Sequence, residues 1–318
     1  MSRISRDIEA AVGVRSGNMS RTPAPRVKEN ILSSWIAWTP LVVFPVAAFA
    51  VRHAQPAWMF MWTFAFAVFA GCKWLTWWQA CRLAGCPGAV NSCAYLCGWI
   101  GMDAEAFLHV DENLRQPTVW EWMGAVAKTL LGVVLVWFVA RRISDELFAV
   151  WAGMMGLIFI LHFGLFHLLA LVWRLNGFAA KPLMRAPVLA ESLSEFWNMR
   201  WNAAFHALAK RYVFTPLLRC GGARVAVLGA FTASGVVHDL IISLPAGAGF
   251  GLPTVYFLLQ GGGVLVERSR FGTRCGLREG WRGRGFMLVM TAAPVGLLFH
   301  RPFLSNVMLP FLQAIAAL

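Results

Sequence analysis

Charge is scarce in this sequence. Asp, Glu, Lys and Arg make up 14% of its 318 residues, against 58% apolar, whereas an average soluble domain is about a quarter charged. So little charge cannot cover a water-facing surface, which excludes an ordinary soluble domain, and disorder needs the opposite composition. Acidic residues are scarcest, 15 against 28 Lys plus Arg. The cysteines number seven, an odd count, with no Cys-x-x-Cys. A disulfide scaffold and a zinc ribbon are therefore excluded, and the thiols read as small buried apolar side chains. No repeat of fixed period and no low-complexity tract occurs. Residues 1–30 lack an apolar core, so a cleavable signal peptide is not expected there. That stretch reads as a basic, disordered cytoplasmic tail kept extended by Pro23 and Pro25.

What is abundant is apolar bulk. The chain has 24 Phe and 16 Trp, and its mean hydropathy is +0.61. A span needs about 20 mostly apolar residues, and candidates run over 34–51, 57–79, 120–140, 147–173, 225–243, 251–266, 286–300 and 303–318. Arg301-Pro302 breaks the last two apart. The expected fold class is all-α, a polytopic helical membrane protein with about eight transmembrane helices plus re-entrant or interfacial helices. Residues 31–318 form one membrane-embedded domain in this reading.

The positive charge is concentrated. Residues 1–30 carry a net +3, residues 174–224 a net +6 and residues 267–285 a net +4, which together account for the whole formal charge of +13. These stretches flank long apolar runs, the positive-inside pattern, rather than a nucleic-acid footprint. With the tail inside and eight crossings, both basic loops also face the cytoplasm, provided that 88–102 does not cross. Such a face attracts anionic headgroups or an anionic soluble substrate. The expected location is an integral membrane one, a bacterial inner membrane or its equivalent, with the N-terminus cytoplasmic.

Residues 192–209 differ from the spans. Ser192 with Glu195 three residues later reads as a capping box. Phe196, Trp197, Trp201, Phe205 and Leu208 then recur at helical spacing, with Asn198, Asn202 and His206 every four residues on an adjacent face. The pattern predicts one amphipathic helix, too polar to cross. Lys73, near the end of its span, is expected to snorkel to the interface. Gly261-Gly262-Gly263, inside an apolar run, reads as close helix packing rather than phosphate binding.

Polar groups at membrane depth are costly and are functional candidates by default. The run 225–243 is apolar apart from Thr232, Ser234, His238 and Asp239. A neutral imidazole can take a proton from an alcohol, which makes His238 a natural general base. An amide such as Asn202 cannot act as a base, but it can hydrogen-bond a carbonyl or orient a nucleophile. A histidine satisfied between helices is the bland alternative for His238.

The pattern Phe196-Trp197-Asn198-Met199-Arg200-Trp201-Asn202, followed by Ser234-Gly235-Val236-Val237-His238, resembles the membrane-bound O-acyltransferase superfamily. It is most similar to the wax synthase-like branch, and Gly98-Trp99-Ile100-Gly101-Met102-Asp103 also looks like a segment of that branch. The resemblance covers roughly 75–300, with its specific core at 192–238. Asp239 departs from it, since Glu is commoner there, and the chain is short beside the largest superfamily members.

The resemblance implies acyl transfer from a thioester, usually acyl-CoA, to a hydroxyl, with a long-chain alcohol (wax ester synthesis) as one acceptor. It implies His238 and Asn202 as the catalytic pair, with Trp197, Asn198, Trp201 and Ser234 binding substrate. The basic loops would hold the phosphates of CoA, and membrane lipid would surround the chain. No metal and no permanently bound cofactor is expected, and no nucleic-acid partner. The alternatives are a polysaccharide, secondary metabolite or protein as acceptor, or a transporter or channel with His238 in a polar pathway. A transporter usually carries repeated halves, which are not visible here. His-His-x-x-x-Asp-Gly, His-x-x-x-x-Asp, Gly-x-Ser-x-Gly and Walker A are all missing, which disfavours other acyltransferase, hydrolase and nucleotide-binding chemistries.

Overall fold

The computed structural model describes residues 35–108 and 114–318, and the regular structure among them is helical. The basic tail, with Asp111 and Glu112, lies outside the described residues. In chain order the helices are α1 (Trp35–Ala50), α2 (Ala57–Ala84), α3 (Ala89–Gly98), α4 (Ala104–Leu108), α5 (Val119–Arg142) and α6 (Glu146–Leu175). They continue with α7 (193–200), α8 (Ala203–Ala246), α9 (Leu252–Glu267), α10 (Arg270–Arg274), α11 (Gly280–Leu298) and α12 (Arg301–Ala314).

Four of these, α2, α5, α6 and α8, are long and apolar enough to cross a bilayer. A fifth is added if α11 and α12, bent by 62° at the Arg301-Pro302 break, count as one span. Helices α1 and α9 have 16 residues each, about 24 Å at 1.5 Å per residue, short of a hydrocarbon core of about 30 Å. The marginal stretch 88–102 contributes only the ten residues of α3, too few to cross.

Tight crossings are made where a glycine lets backbones approach, as expected of helices packed in lipid. A Cβ on Gly71 would lie 2.5 Å from the Cα of Leu41, where α1 meets α2, and one on Gly132 would lie 2.6 Å from the carbonyl of Gly156, where α5 meets α6. The Gly261–Gly263 run behaves as expected: Gly261 faces Phe231, and Gly263 faces Leu193 and Met290. The main core joins Val136, Val150, Met154, Ile242, Phe257 and Leu312.

The structure departs from two sequence expectations. Lys73 does not snorkel. It is buried, its Nζ donates to the carbonyl of Gly101 at 2.9 Å, and the same nitrogen lies 3.1 Å from the centre of the Tyr95 ring. A carbonyl and a π face satisfy the amine inside the protein, so it has no need to reach the interface. The thiols are not uniformly buried either. Cys72 and Cys81 are, whereas Cys86, Cys93, Cys97 and Cys220 are exposed and Cys275 is half-buried. Periodicity does not separate a face turned to neighbouring helices from one turned to lipid.

Candidate active site

His238 closes the regular part of α8, before a π-widened turn over Asp239–Ser243. Its Nδ1 lies 2.7 Å from the carbonyl of Ser234, one turn earlier. A carbonyl only accepts, so Nδ1 carries the hydrogen and Nε2 keeps its lone pair. The ring packs on Phe257 with centroids 4.4 Å apart. Gly235 makes this approach possible: a Cβ there would meet the Cα of Thr254 at 2.6 Å, so α8 and α9 cross almost backbone to backbone. Ser234 supplies its carbonyl to His238, while its hydroxyl donates back to Ala230 O at 3.1 Å.

Asp239 points elsewhere. Its Oδ1 accepts from Ser243 Oγ at 3.0 Å and from the backbone N–H of Gly251 at 2.8 Å. Its Oδ2 accepts from the backbone and the hydroxyl of Thr254. This carboxylate holds the unsatisfied amides at the start of α9 and thereby anchors the helix that carries Phe257.

Segment α7 departs from the single helix that the spacing predicts. Ser192 Oγ does accept from Glu195 N at 3.1 Å, but Glu195 Oε2 takes the amide of Glu191 at 2.7 Å, not that of Ser192, so only half of the capping box forms. Nor is 192–209 one continuous helix. After a π-widened turn over Phe196–Arg200, Trp201 is extended and Asn202 is left-handed, with φ +45°. Asn tolerates that conformation better than most residues. Its Oδ1 then caps the first turn of α8 by accepting from Phe205 N at 3.4 Å. Asn198, Asn202 and His206 consequently do not share one helical face. The carboxamide nitrogen of Asn202 makes no hydrogen bond among the described residues and stays available to a carbonyl oxygen.

Helix α8 breaks at Gly222, where φ is +75°. Leu217 contacts the position a Cβ would take on Gly229, so the chain folds back sharply and the polar arm lies beside the apolar span. Residues 203–221 and the apolar run after Gly222 are thus two limbs of one bent element. Trp197 faces Phe231 and Phe257, each at 5.7 Å between ring centres. Trp197 and His238 therefore pack against the same phenylalanine. Trp201 stacks on Phe196 at 5.5 Å and meets Phe163 edge-on at 6.4 Å. Asn198 is half-buried in the widened turn. No hydrogen bond joins Asn202 to His238 among the described residues.

Three positioning groups escaped the sequence reading. Gln260, fully buried, accepts from Trp197 Nε1 at 3.3 Å and donates to Met290 O at 2.6 Å. Buried Glu267 takes the amides of Leu193 and Ser194 at 2.6 and 3.1 Å. Phe257 links the two rings. A polar residue within the run 251–266 was the available signal for Gln260, whereas nothing local marks Phe257. Arg200 Nε donates to Glu195 Oε1 at 2.6 Å. Burial raises the Glu195 carboxyl, but the Glu191 amide and the Arg200 guanidinium outweigh it and hold the group below its usual range.

Residues 180–259, which contain both His238 and Asn202, match the model of the membrane bound O-acyl transferase family. A probable long-chain-alcohol O-fatty-acyltransferase 3 of Arabidopsis thaliana is 32% identical over 126 residues, 36% of this chain and 35% of the relative. A probable long-chain-alcohol O-fatty-acyltransferase 7 of the same plant is 28% identical over 149 residues, 41% and 42% of the two chains. An acyl-CoA–sterol O-acyltransferase 1, also from Arabidopsis thaliana, is 30% identical over 79 residues, 23% of each. The chain spans about two fifths or less of the length of these curated relatives. The similarity to the membrane-bound O-acyltransferase superfamily and its wax synthase-like branch, read from 192–238, is borne out by these matches.

Proposed function

We propose that this chain, matched over residues 180–259 to the membrane bound O-acyl transferase family, is an integral-membrane O-acyltransferase. It moves an acyl group from acyl-CoA to a hydroxyl, with a long-chain alcohol as the favoured acceptor. The observation that carries this reading is the His238 imidazole, whose Nδ1–H is held by Ser234 O and whose Nε2 is left as a base.

In this reading, Nε2 takes the proton of the acceptor hydroxyl as its oxygen attacks the thioester carbonyl. The Nδ2–H of Asn202 hydrogen-bonds the oxyanion that forms. Collapse of the tetrahedral intermediate breaks the C–S bond, and the leaving thiolate takes the proton back from the imidazolium. Ester and free thiol result, and the imidazole returns to its starting state. Trp197 and Trp201, with Asn198 and Ser234, line the substrate path, and the acyl chain lies among the apolar helices. The basic residues of 174–224 receive the phosphates of CoA.

For the membrane placement, α1, α9 and α12, each shorter than the hydrocarbon core, cross where the bilayer thins to meet them, and with α11 crossing separately beside the four long helices the count is about eight. Residues 31–318 act as one domain, and the basic loops face the cytoplasm of a bacterial inner membrane or its equivalent. The test of function is direct: purified protein is incubated with radiolabelled acyl-CoA and a panel of alcohols and sterols. Labelled ester formed with a long-chain alcohol supports the proposal, and no ester with any hydroxyl acceptor contradicts it.

A further inference from the structure

The turn between α9 and α11 carries a concentration of exposed arginine; the resemblance groups it with the loops expected to hold the phosphates of CoA, but the proposed mechanism places those phosphates on 174–224 alone. Arg270, Arg274, Arg278 and Arg282 are all exposed, and none forms an ion pair among the described residues. Two large aromatic side chains stand among them, Phe271 at 65% and Trp281 at 79% exposure. The Arg282 guanidinium lies 5.3 Å from the centre of the Trp281 ring. Among residues 270–282 the one acidic side chain is Glu279.

The base of this turn is fastened to the start of α7. Glu267 holds the amides of Leu193 and Ser194, and Arg268 Nε donates to Ser194 Oγ at 2.9 Å. Arg284 pairs with Glu191 at 3.6 Å, and Gly283 abuts the carbonyl of Glu191, where a Cβ would collide. These contacts connect the arginine turn to the segment that carries Trp197.

We infer that this turn is a docking surface for anionic phospholipid headgroups, and that its occupancy steadies α7. Guanidinium groups match phosphate oxygens in geometry and charge. Arginine beside tryptophan at the end of an apolar helix is the composition suited to the headgroup layer. A soluble phosphate would satisfy the arginines but would leave Phe271 and Trp281 in water, whereas a bilayer surface satisfies both. The inference rests on the membrane placement proposed above and not on the acyl-transfer chemistry, so a protein inactive on every alcohol would leave it intact.

The test compares thermal unfolding of the full chain in neutral-detergent micelles doped with phosphatidylglycerol or with phosphatidylcholine. Phosphatidylglycerol is expected to raise Tm by about 3 °C or more over phosphatidylcholine, as a ligand of the native state must. The variant R270Q/R274Q/R278Q/R282Q should lose that difference while keeping the phosphatidylcholine Tm. If the fourfold variant does not fold, R274Q/R278Q should lose part of the difference. Equal Tm in both lipids, or a difference that survives in the variant, overturns the inference. So does a variant that keeps its lipid response but shows a several-fold raised KM for acyl-CoA in phosphatidylcholine, because the arginines would then serve the soluble donor.

Discussion

The Nδ1–H of His238 donates to the carbonyl of Ser234 at 2.7 Å, which sets the tautomer of the imidazole and turns Nε2 into the atom able to accept a proton. The contact is made within one helix, so it does not depend on substrate. The position of the ring against Phe257 depends instead on how closely α8 and α9 cross.

That dependence is testable at Gly235. In Gly235→Val the new side chain meets the backbone of Thr254, forcing the helices apart and displacing Phe257 from His238. Overpacking of this kind typically costs about 1–3 kcal/mol, and turnover should fall with it. Paired Tm and turnover measurements check this, and a valine variant with wild-type values in both would show that the crossing does not position the ring.

In the proposed mechanism Asn202 has two separable tasks, one for each end of its amide. Asn202→Asp keeps an oxygen to accept from Phe205 N but loses the Nδ2–H donor. Its Tm should therefore stay near wild type, while turnover drops about 10²–10³-fold with KM little changed, as for loss of an oxyanion donor. Asn202→Ala should lose both, adding roughly 1 kcal/mol of lost capping. Steady-state kinetics of the two variants distinguish a donor to the reacting carbonyl from a cap alone.

Gln260 is expected to act through Trp197. If the hydrogen bond between them orients the indole, Gln260→Leu and Trp197→Phe should each lower turnover, and the double variant should be no worse than the poorer single one. Additive losses on a double-mutant cycle would mean that the two side chains work independently.

Glu195 links pH to stability. Its carboxyl is held below the usual range, so its contribution is present above the ordinary carboxylate pKa and is lost as pH falls through the lowered folded value. Thermal unfolding at pH 7 and pH 4 should show Glu195→Gln less stable than wild type at pH 7, with the gap narrowing on acidification. A gap that widens at low pH would reverse the assigned sign.

The sequence already marked His238, because a titratable group in an apolar run stands out without any knowledge of its neighbours. It likewise marked the aromatic frame of α7 and the packing role of Gly261–Gly263. What it hid are relationships between distant elements. Asn202 fits a helical period but takes a left-handed conformation that ends one helix and caps the next. Lys73 finds the Gly101 carbonyl and the Tyr95 ring inside the fold instead of the interface, and Asp239 serves the start of α9 instead of its neighbour His238. Each depends on which segment packs opposite, and spacing along one helix carries no record of that.

The proposed acyl transfer rests most heavily on Nε2 of His238 as the base. The decisive measurement is the rate of labelled ester formation from acyl-CoA and a long-chain alcohol by His238→Ala beside wild type, with Tm of both recorded in the same detergent. A loss of about 10²–10⁴-fold at a Tm near wild type is the predicted result. Wild-type turnover in the alanine variant would contradict the assignment.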